Sequence, residues 1–287
     1  MRKRQRLEDL NVLDDFMLNA IANDPDVGEA FFREVLSVLL DRDIGEIMVR
    51  AQSVIPGDTP ELRGIRLDVE IQEQDNSPVK CRLYNMEAQT YTGENLQKRS
   101  RYYQAKKDSK QLKSGEKNWD MLPDLYMIMI TTFDPFGKGG MVYTFENTCK
   151  EYPDVENKDG LKYIYFNTIG TKGGTESIKQ LLSYLKHSKI ENVTNEKISH
   201  IHDYVKAVKQ SAEVRDRYMT IGEMLDASKA EGEIIGRINS LLEILSDFGE
   251  IPEEIKKQFY EADEDTLKRW IKLAARASSL VEFVDKM

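Results

Sequence analysis

Two acidic residues stand inside stretches that otherwise read as β-strand. Residues 65–72 alternate Ile65, Leu67, Val69 and Ile71 with Arg66, Asp68, Glu70 and Gln72, the period-two pattern of a half-buried strand. A second run, Cys81 to Gln89, is separated from the first by Asp75-Asn76-Ser77-Pro78, a dense turn signal, so the pair reads as a hairpin. With the turn centred between Ser77 and Pro78, Asp68 falls opposite Glu87, and directly opposed residues hold their Cβ atoms about 4.5–5.5 Å apart on one face. Like charges so placed destabilise the ladder unless something positive lies between them. A hard divalent cation is the simplest such partner, because Mg²⁺ takes oxygen ligands and commonly uses only one or two carboxylates with water and phosphate. Gln89, two residues beyond Glu87, points to the same face. Two plainer readings stay open at this point: a solvated hairpin face, or Arg66 neutralising Asp68 along its own strand. A register slip of one residue would remove the pairing altogether.

Composition limits what else these residues can be. A chain of 287 residues suggests one or two domains with a sizeable core. Hydrophobic residues make up 40% and charged residues 32%, and no apolar run approaches the ~18 residues that a membrane helix needs, so no membrane partner is expected. The basic start, Met-Arg-Lys-Arg-Gln-Arg, has no apolar stretch behind it, which argues against a secretory signal. Cys81 and Cys149 lie in separate expected strands without CxxC spacing, as in a reduced, cytoplasmic protein. The three histidines form no zinc pattern, and His200 and His202 read as helix-surface residues. No glycine-rich phosphate loop occurs; Gly137, Gly139 and Gly140 follow Asp134-Pro135 as turn chemistry.

The net charge of −9 disfavours nucleic acid when taken globally, but the distribution is uneven. Residues 95–117 carry eight basic side chains against Asp108 and Glu116. Lys98, Arg99, Arg101, Lys106, Lys107, Lys110 and Lys113 lie in a stretch free of Gly and Pro, so a basic helix follows the hairpin directly. Such a helix beside a phosphate backbone supplies sequence-independent, salt-dependent attraction. A solvated helix face is the alternative.

The elements that must position these residues can also be read. Asp14 or Asp15 caps a helix carrying Phe16, Met17, Ala20 and Ile21, and a second helix near residues 28–40 carries Phe31, Phe32, Val35, Leu36, Leu39 and Leu40, with Glu34 off its apolar stripe. A short strand near residues 47–49 precedes the hairpin. Residues 125–133 form a near-continuous apolar run, as expected of a strand covered on both faces, and two further strands and a helix at residues 177–187 follow. Helices flanking a mixed sheet give an α/β layer architecture. Beyond about residue 198 only helical patterns remain. The expected division is residues 1–197 as the α/β domain, 198–236 as a helical connector and 237–287 as a small all-α domain. A connector this long and charged invites self-association, so a homodimer through the helical C-terminal region is expected.

Five ordered motifs then coincide: Gly-Ile-Arg-Leu-Asp-Val at 64–69, Tyr-Asn-Met-Glu-Ala-Gln at 84–89, Lys-Arg-Ser-Arg-Tyr-Tyr-Gln-Ala at 98–105, the run from Ile130 to Asn147, and Arg-Asp-Arg-Tyr-Met-Thr at 215–220. In that order they resemble the PD-(D/E)XK nuclease family transposases, the recombination-promoting-nuclease-like branch of the restriction-endonuclease-like superfamily. The likeness spans roughly Leu10 to Gly236, and the final segment resembles a small helical domain that often follows such nucleases. The resemblance implies a restriction-endonuclease-like mixed sheet flanked by helices and an all-α C-terminal extension. It also implies Mg²⁺- or Mn²⁺-dependent cleavage of DNA phosphodiesters in a prokaryotic cytoplasm. Carried over by position, Asp68 and Glu87 are its two carboxylates, with the Ala88 carbonyl as a further metal ligand. Gln89 stands where the superfamily usually has lysine, a substitution common in this branch, and Glu34 matches an acid that some members carry on an early helix. Glu70 departs from the aromatic usual there and is an accessory candidate; a water oriented by Gln89 would lose its proton to solvent, to the substrate phosphate or to a neighbouring carboxylate such as Glu70. Lys98, Arg99, Arg101, Lys106 and Lys107 are the expected DNA contacts, with Tyr102 and Tyr103 packing the helix on the sheet. With lysine absent, a binding module of the same fold, catalytically weak or inactive and acting through its helical tail, is the alternative.

Overall fold

The computed structural model describes residues 5–55, 65–74, 81–92 and 95–287; the expected turn at Asp75–Pro78 lies outside them. Helices α1 (Asp15–Ala22) and α2 (Gly28–Leu39) lead into β1 (Ile47–Ala51) and β2 (Val54–Ile55). Then come β3 (Ile65–Arg66), β4 (Val69–Gln74), β5 (Cys81–Gln89), α3 (Leu96–Asp108), β6 (Asp124–Thr131), β7 (Val142–Phe145) and β8 (Leu161–Asn167). The rest is helical: α4 (Glu176–Lys186), α5 (Glu196–Gln210), α6 (Ala212–Ser246), α7 (Glu253–Glu261), α8 (Glu264–Ala274) and α9 (Leu280–Lys286).

Six strands form one mixed sheet in the order β1-β4-β5-β6-β8-β7, while β2 and β3 pair apart from it. β1, β4 and β5 run antiparallel as a meander, β5, β6 and β8 run parallel, and β7 returns antiparallel on the edge. In the parallel strands β6 and β8, residues 127–131 and 164–167 are buried without alternation, as expected of strands covered on both faces. One face is covered by α3, through Leu96 and Tyr103 against Leu83, Leu125, Met127, Met129 and Tyr165. The other carries Tyr84, Met86, Val69 and Ile71, and Tyr84 reaches Arg42 just past the end of α2. Helices α2, α4 and α5 pack on one another, and α1 touches α2, β1 and β4. At Gly28 a Cβ would stand 2.7 Å from the Ile21 carbonyl oxygen, so only glycine lets α2 start this close to α1.

The chain divides into two compact units, Met1–Arg215 and Asp216–Met287. Ile198, Ile201, Val205 and Val208 of α5 are buried, and the helix packs on α2 within the first unit. The second unit has its own core, built from Ile238, Leu241, Leu245, Ile251, Phe259, Leu267, Trp270, Ala274 and Phe283. Asp263 caps α8 by accepting from the Thr266 amide at 2.7 Å. The helix α6 is continuous over 35 residues, and Met219, Ile221, Met224, Leu225 and Ile235 are exposed along it.

One acid lies on the core face rather than the site face. The stripe Val69, Ile71 continues to Glu73, which is 3% exposed. Arg42 grips both of its oxygens, at 2.6 and 3.1 Å, the Gly45 amide donates at 2.9 Å, and the Tyr84 hydroxyl donates to the same carboxylate. Burial alone would raise this carboxyl; the hydrogen bonds from Arg42, Tyr84 and Gly45 overcome it and hold the group down at about 2. Glu73→Ala leaves Arg42 without its partner and should cost roughly 3–5 kcal/mol in urea denaturation at pH 7. Because the folded carboxyl is depressed, its contribution is complete above the ordinary glutamate range and is lost as pH falls toward 2. The variant's acid limb should therefore be shallower than the wild type's.

Candidate active site

Asp68 sits where the chain changes direction. The β4–β5 register runs from Gln74↔Cys81 to Val69↔Met86, and one further step sets Asp68 opposite Glu87. Asp68 lies in the break between β3 and β4, and its carbonyl accepts from the Gln52 amide at 2.9 Å, across from it in the β1–β2 connection. Gln52 holds a φ of 51°, an uncommon left-handed conformation for a residue with a side chain. Ile65 and Leu67 pack with Leu83, Tyr103, Leu125 and Met127, whereas Val69 and Ile71 share the opposite face with Met86 and Tyr84. The apolar stripe that reads as continuous in the sequence thus changes sides at Asp68.

The two carboxylates are locked to each other's backbone. The Asp68 amide donates to Glu87 Oε1 at 3.1 Å, and the Ala88 amide donates to Asp68 Oδ2 at 3.2 Å. A strand residue's N–H and C=O point to the same side, so the Ala88 carbonyl is turned toward Asp68 as well. Asn85 Nδ2 approaches Glu87 Oε1 at 3.4 Å, while Asn85 Oδ1 is buried with no hydrogen-bond partner among the described residues. Glu87 is fully buried. Burial, and then the charge of Asp68, push its carboxyl up to about 8 against the opposing pull of Arg99. Burial raises Asp68 too, opposed by the Ala88 amide.

Helix α3 lies over this acidic face. Asn95 caps it by accepting from the Lys98 amide at 3.0 Å. Arg99 donates to Glu87 Oε2 at 2.9 Å and to Gln89 Oε1 at 3.0 Å, with its guanidinium 5.1 Å from the centre of the Tyr103 ring. The Gln89 amide nitrogen donates to the Tyr91 carbonyl at 3.2 Å. Two turns along, Lys107 is 2% exposed and its ammonium pairs with Glu70, which also lies 3.9 Å from Arg50. Lys98 and Arg101 are exposed and Lys106 is half-buried. Of the five expected DNA contacts, Arg99 and Lys107 therefore face the carboxylates, and Lys98 and Arg101 are the exposed ones. Tyr103 packs on the sheet as expected; Tyr102 is exposed instead. Glu70, one of the expected proton acceptors, pairs with Lys107 and lies near Arg50.

Asp68 also opens on a cleft of about 180 Å³ lined by Asp15, Leu18, Asn19, Gln52 and Arg66. Arg66 hydrogen-bonds Gln52, which also lines the cleft, and its charge acts on Asp68 more weakly than burial, the Ala88 amide, Asp15 and Arg99 do. Glu34 pairs with His200 of α5 at 3.2 Å, and the early-helix acid whose charge reaches Asp68 is Asp15 in the first turn of α1. In the sequence Asp15 reads only as an alternative cap, and nothing in a linear pattern ties it to a strand fifty residues on. His200 is exposed, while His202 bonds the Tyr184 hydroxyl at 3.1 Å.

Among the described residues no three His, Cys, Asp or Glu side chains are grouped as a metal cluster. The donors present are oxygens: two carboxylates, a main-chain carbonyl and the leftover Asn85 Oδ1. That set fits a hard cation that keeps most of its water, as Mg²⁺ does, and does not fit zinc. In metal-free buffer, Glu87 binds its proton more tightly folded than unfolded, so its share of stability is full at low pH and is lost as pH rises through about 8. The wild-type melting temperature should fall between pH 5 and pH 8, from the ordinary glutamate range up to the raised value, and Glu87→Gln should flatten that fall by several degrees.

No curated protein and no solved structure matches the chain. The family model for the PD-(D/E)XK nuclease family transposases matches residues 25–230, which takes in the hairpin, α3 and the sheet and is followed by a helical C-terminal region. The mixed six-stranded sheet between helices is consistent with the restriction-endonuclease-like fold of such nucleases. The chain belongs to the PD-(D/E)XK nuclease family transposases.

Proposed function

We propose that this nuclease-family protein is a Mg²⁺- or Mn²⁺-dependent DNA endonuclease of the recombination-promoting type, hydrolysing phosphodiesters at Asp68 and Glu87. The observation that carries the reading is the reciprocal lock, in which each carboxylate accepts from the other strand's backbone amide. The buried Glu87 and the half-buried Asp68 are kept in contact by main-chain bonds, with one guanidinium, that of Arg99, set against the two acids, an arrangement suited to receiving a cation. When bound, the ion supplies Lewis-acid polarisation of the phosphate and lowers the pKa of water. Asp68, Glu87 and the Ala88 carbonyl are its ligands in this reading. Gln89 positions the attacking water but brings no charge, since its amide is neutral. Asp15, sharing the cleft with Asp68, is better placed than Glu70 to accept the water's proton. Lys98, Arg101 and Lys106 meet the DNA backbone from the outer side of α3.

Purified protein should nick supercoiled plasmid with Mg²⁺ and not with EDTA, and Asp68→Ala or Glu87→Ala should each reduce nicking by at least about 100-fold. Nicking that survives both substitutions would remove the proposed site. Gln89 favours a second reading, a DNA- or partner-binding module without turnover, because its amide is engaged at both ends by Arg99 and Tyr91. Cation and DNA binding without any nicking would select that reading. Charge reversal at Arg101 should weaken DNA binding alike across sequences and reduce the log–log salt slope by about 1.

The exposed Met219, Ile221, Met224 and Leu225 support self-association through α6. In the proposed homodimer, Met224→Lys with Leu225→Lys should halve the mass seen by light scattering. An unchanged mass would exclude this stretch as the interface.

A further inference from the structure

The carboxylate pair already has a positive charge against it. Arg99 reaches from α3 with one guanidinium nitrogen on Glu87 and the other on Gln89. Its side chain is 21% exposed while that of Glu87 is 1% exposed, so the guanidinium stands at the boundary between the buried acid and solvent. It stacks near Tyr103, which gives the planar group a platform without consuming its donors. A guanidinium forks equally well onto a carboxylate and onto a phosphate, and it is always charged. A divalent cation held by Glu87 and the Arg99 guanidinium cannot both keep full contact with the same carboxylate, because their like charges repel at that range.

We propose that Arg99 is a two-position residue, counter-ion of Glu87 while the pair holds no cation and ligand of a DNA phosphate once it does. The inference rests on the reading of Asp68 and Glu87 as a cation-binding pair. Release of Arg99 does not loosen α3, because Lys107 fixes the helix to Glu70 two turns along and Tyr103 and Leu96 bury its inner side. The freed guanidinium joins Lys98 and Arg101, which are exposed on the same helix. The strongest grip on the backbone is thus made only at a site loaded with the cation. Linkage requires the converse, that DNA tightens cation binding by the same factor.

The test uses the full chain at pH 8.5. Calorimetric titration with Ca²⁺, an oxygen-ligated ion of the same charge as Mg²⁺, reads cation binding without DNA. Anisotropy of a fluorescent 20-bp duplex, in EDTA and in Ca²⁺, reads DNA binding, with gels of the same samples showing whether the duplex stays whole. Arg99→Gln should bind Ca²⁺ at least about fivefold tighter than wild type and should lose less DNA affinity in EDTA than in Ca²⁺. It should also lose at least about fivefold of the gain in DNA affinity that Ca²⁺ gives the wild type, a loss of roughly 1 kcal/mol. Arg101→Gln should lose DNA affinity equally in both buffers. Should Arg99→Gln not fold, Arg99→Lys carries the same comparison: it keeps a charge near Glu87 but cannot fork to Gln89, and both effects shrink to about twofold. Unchanged or weaker Ca²⁺ binding in the Arg99 variants, or equal loss of DNA affinity in EDTA and Ca²⁺, overturns the proposal while leaving the cation site standing. A wild type that binds no Ca²⁺ overturns the cation site and the proposal together.

Discussion

Two carboxylates that repel each other are kept adjacent by backbone bonds, while one guanidinium, that of Arg99, compensates only part of their charge. Asp68 and Glu87 each accept from an amide of the opposing strand, and those amides are fixed by the β4–β5 ladder and by the break at Asp68. The resulting electrostatic tension reaches well beyond the pair. It raises the carboxyl of Glu87, draws Arg99 inward from α3, and explains why a helix with so basic a sequence packs against the sheet at all. Glu87 and Glu70 are the carboxylates that Arg99 and Lys107 meet there.

Helix α3 therefore has two chemistries on one cylinder. Its inner side carries Leu96, Ser100, Tyr103 and Lys107, a mixture of apolar packing and paired charge; its outer side carries Lys98 and Arg101 in water. Ser100 meets the Tyr165 hydroxyl at 3.2 Å, which ties the same helix to β8. The buried Lys107–Glu70 pair fixes position more than it adds stability, since two desolvated charges offset most of their mutual attraction.

The three acids of β4 and the residue before it show how far position decides role. Asp68 meets Glu87 at the break, Glu70 is bound by Lys107, and Glu73 is turned to the core and gripped by Arg42 and Tyr84. Adjacent in sequence and alike in chemistry, they hold carboxyls that their surroundings drive in opposite directions: raised at Asp68 by burial, lowered at Glu73 by hydrogen bonds that overcome burial. A buried acid is thus no marker of a site by itself; what matters is whether fixed cations already satisfy it.

The linear sequence determined the hairpin, its register, the helices and the mixed sheet, because alternation, turn residues and caps are local signals written within a few residues of where they act. It also determined the opposition of positions 68 and 87, which follows from counting outward from a turn. What only the tertiary structure decided is which charges meet. Periodicity cannot tell that α3 turns Arg99 and Lys107 inward, that Asp15 rather than Glu34 reaches the cleft of Asp68, or that Glu73 finds Arg42. Nor can it tell that α5 packs with the sheet domain, since its apolar stripe reads the same whichever neighbour covers it. These contacts join residues far apart in the chain, and electrostatic partnership depends on distance and burial in space, neither of which is encoded in the spacing along one strand or helix.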